Sequence, residues 1–138
     1  MKIKLRQLDE DFHLEATNEE GNSVLLDSAP GYGGKGKGMR PMQLLLTALG
    51  GCSAIDVISV LKKQKQTDGF LEVEVDGVRE KTGDYSLFKN ILLHFKFNGH
   101  VDYLKAERAV KLSLEKYCSI AKTLEPTARI TYKITINQ

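Results

Sequence analysis

Two cysteines are the residues of this chain best suited to covalent chemistry. Cys52 follows the Gly50-Gly51 pair inside a long apolar run, and Cys118 sits late in a second helical run. They make no C-x-x-C pair, yet each falls on the apolar side of its helix, so a fold could bring the two sulfurs together. A thiolate can attack a peroxide and become a sulfenic acid, which a second thiol then traps as a disulfide before further oxidation. The alternative is a pair of inert core residues, because free cysteine is among the most buried residue types. Spacing alone leaves both readings open.

Asp56 lies four residues after Cys52 and hence one turn along the same helix. Unpaired, its carboxylate would raise the thiol pKa; paired with an arginine, it would turn a guanidinium toward the sulfur. A plain salt bridge or a cap is the simpler role. Cys118, flanked by Lys116 and Tyr117, is expected near a helix C-terminus, where the dipole disfavours a thiolate. That setting suits a thiol that reacts second. The stretch from Gly31 to Lys37 matches G-x-x-x-x-G-K, but Gly38 stands where a phosphate loop needs Ser or Thr for magnesium. It reads instead as a mobile loop over the Cys52 pocket. His13, His94 and His100 lie in separate segments with no pair at ligand spacing, so neither a metal nor a cofactor is expected.

The elements that must position these groups follow from periodicity. Residues 2–8, 11–17 and 23–27 alternate apolar and polar side chains and read as a three-stranded meander. Five glycines between Gly31 and Gly38 then lead to Pro41, well placed in the first turn of a helix. That helix, Met42 to Gln66, is apolar nearly all round, which predicts a central helix covered on more than one side. Gly50 and Gly51 each cost ~1 kcal/mol against alanine in a helix, so something must approach the backbone there or the helix breaks. Strands over 70–81 and 87–98 flank a Gly83-Asp84 hairpin signal, a second helix runs from Asp102 to Leu124, and a strand covers 128–136. The predicted fold class is α+β, order β-β-β-α-β-β-α-β, with antiparallel sheets around two helices in a single domain spanning residues 1–138.

Bulk properties set limits on partners. A net charge of +2, with basic and acidic residues interspersed, gives no electrostatic footprint for nucleic acid. No apolar stretch is expected to reach the ~20 residues of a membrane span. The N-terminus alternates like a strand instead of carrying an export signal, so a reducing cytoplasm is the expected location.

The run Leu44-Leu45-Leu46-x-Ala48-Leu49-Gly50-Gly51-Cys52-Ser53-Ala54-Ile55-Asp56-Val57, together with the glycine-rich approach, Pro41 and the late Lys116-Tyr117-Cys118-Ser119, resembles the OsmC/Ohr superfamily. The likeness is to the OsmC-like branch that includes the bacterial YhfA proteins. The resemblance implies an OsmC-like fold, an intertwined homodimer and reduction of hydroperoxides, organic ones preferred. It implies Cys52 as the peroxidatic thiol, Cys118 as the resolving thiol, and a dithiol as reductant. An arginine and a glutamate assist in that family. Here Met42 and Gln43 occupy the glutamate's slot, and Arg40 is the arginine nearest Cys52 in sequence. The alternative is a non-catalytic stress protein of the same fold that binds a small hydrophobic ligand.

Overall fold

Three short antiparallel strands answer the N-terminal alternation: β1 (Ile3–Gln7), β2 (Leu14–Asn18) and β3 (Ser23–Leu26). Leu5 pairs with Ala16 and Ala16 with Val24, which aligns one apolar row across the sheet. The computed structural model describes residues 1–138, and its contacts fall into two compact units, Met1–Leu45 and Leu46–Gln138.

The glycine-rich segment of the first unit is tied down, contrary to the mobile loop expected. Buried Asp27 accepts hydrogen bonds from the backbone N–H groups of Ser28 at 2.7 Å, Lys37 at 3.0 Å and Lys35 at 3.4 Å. The bond from Lys37 leads the causes that hold this carboxyl below the usual carboxylate range. Backbone donors that a phosphate loop would aim at a nucleotide are therefore engaged by the chain's own carboxylate. A Cβ on Gly34 would sit 1.9 Å from the Ser28 carbonyl oxygen, so no larger residue fits the path.

Helix α1 (Pro41–Lys63) begins with Pro41, as expected. The Arg40 carbonyl accepts from the N–H groups of Gln43 and Leu44, and the Gln43 side chain reaches back to the Arg40 N–H at 2.9 Å. This is half of a capping box.

In the second unit, β4 (Gly69–Thr82) and β5 (Tyr85–Gly99) form a long antiparallel hairpin, with Gly83 at φ 67° in its two-residue turn. A positive φ at the first turn residue matches the strand twist and favours glycine. The chain continues through α2 (Tyr103–Leu112), a π-helical turn (Ser113–Tyr117) and α3 (Ser119–Leu124) into β6 (Arg129–Asn137). Asp102 caps α2, its carboxylate accepting from the Lys105 N–H at 2.9 Å.

Two expectations are corrected here. The helix foreseen over 102–124 is broken, because Cys118 is extended (φ −74°, ψ 103°) between the π turn and α3. The sheet is mixed, since β6 lies parallel to β5. A helical crossover returns the chain to the end of the sheet where β5 began, and only a parallel strand can follow. The fold is α+β, with two three-stranded sheets and three helices.

Side chains of β5 set the core: Ile91, Leu93, Phe95 and Phe97 are buried, facing Val73 and Val75 on β4 and Ile130, Tyr132 and Ile134 on β6. On the other face His94 meets the Thr135 hydroxyl at 2.8 Å, and Lys96 pairs with Glu72 and Glu74. The part of α1 within this unit runs unbroken through both glycines. A Cβ on Gly50 would come within 2.8 Å of Val75 Cγ2, which supplies the close approach the sequence demanded. Leu49, Gly50, Ser53, Val57 and Leu61 form the buried stripe. Ala48, Gly51, Ile55 and Ile58 are exposed, so the chain covers α1 on one side only. Helix α1 is also long and apolar enough to cross a membrane by length and composition, contrary to the expectation from sequence. Within the second unit it packs against β4 at Gly50, where Val75 lies close.

Gly50→Ala tests this contact. Helix propensity would gain ~1 kcal/mol, but overpacking against Val75 costs ~1–3 kcal/mol. Urea denaturation should show a net loss, with a lower midpoint at unchanged slope.

Candidate active site

Cys52, Ser53 and Asp56 share one turn of α1, and the π turn with Cys118 closes over them. Ser53 and Ser113 are both fully buried, so their hydroxyls need partners. The Ser113 Oγ lies 3.0 Å from Ser53 Oγ and 3.0 Å from Asp56 Oδ2. A hydroxyl carries one proton and an ionised carboxylate only accepts. Ser113 therefore donates to Asp56 and receives from Ser53, a short chain running toward the carboxylate. The partner of Asp56 is this hydroxyl, not the guanidinium considered from sequence.

Ser113 also acts through its backbone. Its carbonyl accepts the Cys118 N–H at 2.7 Å, the bond that turns the chain out of the helix at Cys118. Cys118 then caps α3, its sulfur accepting from the Ala121 N–H at 3.4 Å. The expectation that Cys118 lies at a helix C-terminus is thus replaced by an N-cap position. Its thiol is nevertheless pushed up to about 11, with burial the leading cause and the neighbouring Cys52 adding to it against the Ala121 N–H. Cys118 is fully buried, whereas Cys52 is half-buried.

The structure brings the two cysteines together. Cys52 Sγ, Cys118 Sγ and a carboxylate oxygen of Asp56 all lie within 4.8 Å of one another, and both cysteines are free thiols. Beside them a groove of about 460 Å³ is lined by Asp56, Val60, Lys63, Arg108, Leu112 and Tyr117, among others. Arg40 belongs to the first unit; its side chain is exposed and its main chain caps α1. Sequence reasoning missed Ser53 and Ser113. A serine within an apolar helical run was the available signal, because a buried hydroxyl implies a partner.

The family described as OsmC-like protein matches residues 34–133. The chain belongs to the OsmC-like family. Protein YhfA of Escherichia coli K12 is 40% identical over 117 residues, covering 84% of each chain. The crystal structure of a hypothetical protein from Aquifex aeolicus VF5 superposes with a TM-score of 0.79 at 27% identity, covering 99% of this chain and 97% of the other. The organic hydroperoxide resistance protein OhrB of Bacillus subtilis shares the fold, with a TM-score of 0.68 at 18% identity, covering 97% and 96%. Family membership agrees with the resemblance carried by the Gly-Gly-Cys helix.

The difference between the thiols is measurable by alkylation. At pH 8, iodoacetamide should label Cys52 first. A thiol that titrates at about 11 stays protonated there, so Cys118 labelling should keep accelerating as pH rises toward 11. Peptide mass spectrometry over a pH series reads both rates, and equal labelling at pH 8 would contradict the burial argument.

Proposed function

We propose that the protein is a cysteine-dependent hydroperoxide reductase in which Cys52 attacks and Cys118 resolves. The observation that carries this reading is the approach of two unbonded sulfurs, one half-buried and one fully buried. The Cys52 thiolate attacks the outer peroxide oxygen, the O–O bond breaks, and the alcohol leaves with a proton. The sulfenic acid then meets the Cys118 thiol; an S–S bond forms and water departs. A dithiol reductant returns both thiols and leaves as its own disulfide. The Bacillus subtilis relative, an organic hydroperoxide resistance protein, supports an organic hydroperoxide as substrate. A reducing, cytoplasmic setting goes with this reading, because the dithiol has to be regenerated from a pool of reductant.

The alternative, a non-catalytic protein that binds a small hydrophobic ligand, draws on Met42 and Gln43 in place of a carboxylate.

Stopped-flow consumption of cumene hydroperoxide by the reduced protein separates the two readings. Wild type should consume one equivalent and form the Cys52–Cys118 disulfide, Cys118→Ser should stop at a sulfenic acid that dimedone traps, and Cys52→Ser should be inert. Peroxide loss no faster than in Cys52→Ser would sink the enzymatic reading and favour the alternative.

We further propose that the working form is a homodimer. Ile55 and Ile58 on α1 are 69% and 41% exposed, and Ile3, Leu5 and Val24 on the N-terminal sheet are about half exposed. A Cβ on Gly51 would meet nothing within 4 Å, so this glycine bares the helix backbone one turn before Ile55. Exposed apolar surface of this kind marks association sites. Light scattering coupled to size exclusion should give twice the chain mass of 15.4 kDa, and Ile55→Glu should shift it to the single-chain value.

A further inference from the structure

Peroxide reduction uses both sulfurs and leaves the Asp56 carboxylate without a part in turnover. Yet that carboxylate completes a set of three potential ligand atoms, two soft and one hard, within 4.8 Å of one another. In a tetrahedral zinc site with Zn–S bonds of about 2.3 Å, two sulfurs sit about 3.8 Å apart. Small side-chain rotations would bring this set to that spacing. Cys52 and Asp56 lie one turn apart on α1, a rigid element that presents both from the same face. Cys118 arrives from the break after the π turn, its N–H fixed by the Ser113 carbonyl at 2.7 Å. Ser113 also donates to Asp56 Oδ2 at 3.0 Å, which orients the carboxylate as supporting hydrogen bonds do around metal ligands. Asp56 lines the adjacent groove of about 460 Å³, a path for an ion and its water.

We propose that the reduced site binds a thiophilic divalent cation, with Zn²⁺ as the type, through Cys52 Sγ, Cys118 Sγ and the Asp56 carboxylate, water filling the fourth position. Two thiolates select such an ion over Mg²⁺ or Ca²⁺, which take oxygen ligands. Binding forms two Zn–S bonds and one Zn–O bond to Asp56 in place of all but one of the ion's waters, breaks two S–H bonds and releases both protons to the buffer; no electrons move. The bound ion withholds both sulfurs from peroxide, and this consequence alone rests on the hydroperoxide reading. Binding itself does not.

The test uses the full chain, reduced with a phosphine and kept free of oxygen and peroxide. Zn²⁺ is titrated against a chromophoric chelator, and Co²⁺ is followed by its spectrum. One ion per chain should bind, and Co²⁺ should show thiolate-to-metal charge transfer with the intense visible bands of tetrahedral geometry. Ser113→Ala, which removes the hydroxyl partner of both Asp56 and Ser53 but keeps the backbone bond to Cys118, should weaken Zn²⁺ ~10–100-fold. Asp56→Asn should weaken it at least as much, while its amide oxygen can still accept from Ser113. Wild type blocked with N-ethylmaleimide should lose the cobalt bands, a control that needs no substitution. Equal zinc affinity in wild type and in the Cys52→Ser/Cys118→Ser double variant would overturn the proposal, as would an octahedral cobalt spectrum without charge transfer. A protein that reduces peroxide but takes no Zn²⁺ overturns the metal site alone. One that binds Zn²⁺ but, when reduced and metal-free, still ignores peroxide overturns only the hydroperoxide reading.

Discussion

A buried hydroxyl cannot be left without a partner, and this constraint at Ser113 organises the second unit's site. Its side chain satisfies Ser53 and Asp56 on α1, while its carbonyl takes the N–H of Cys118. Removing such a group strands buried polar atoms at ~1–3 kcal/mol each. One residue therefore fixes the distance between α1 and the crossover and also the point where the helical path breaks. Both sulfurs depend on it, although it carries no reactive chemistry.

The two thiols are set apart by environment. Cys118 has a helix N-cap position, which by itself favours a thiolate, but burial and the neighbouring sulfur prevail and keep the proton on. Cys52 retains partial access to solvent on the adjacent helix. A protonated, sheltered thiol beside an accessible one is an arrangement in which order of reaction is decided by reach. The polar chain through Ser113 keeps Asp56 engaged within the same small volume.

Much of this was legible in the residues. Alternation placed the β4–β5 hairpin to within a few residues, Pro41 opened α1, and Asp102 capped α2 as its type predicts. The demand that Gly50 be approached closely was met by Val75. What escaped had no local signal. Nothing in Lys116-Tyr117-Cys118-Ser119 breaks a helix by propensity; the π turn there is closed by the Cys118 N–H on the Ser113 carbonyl, and its tie to the rest of the unit is the Ser113 hydroxyl's long-range contact with Ser53 and Asp56. Strand direction is likewise absent from a strand's own pattern, since parallel and antiparallel pairs both alternate when one face is covered. The glycine-rich segment looked mobile because composition does not reveal that Asp27 gathers three of its N–H groups. Apolar residues all round α1 showed that the helix wants cover, but not which molecule supplies it.

The parallel pairing of β6 has a bearing on how the site comes into being. A hairpin such as β4–β5 zips from its turn using neighbours in sequence, whereas β6 can join only after α2, the π turn and α3 have crossed the sheet. Non-local closure of that kind costs chain entropy before contacts return it, and it is slow. Cys118 travels in that connection, so a nascent chain displays Cys52 long before its companion reaches it. The dithiol is thereby a non-local contact, made only once the crossover has packed against α1.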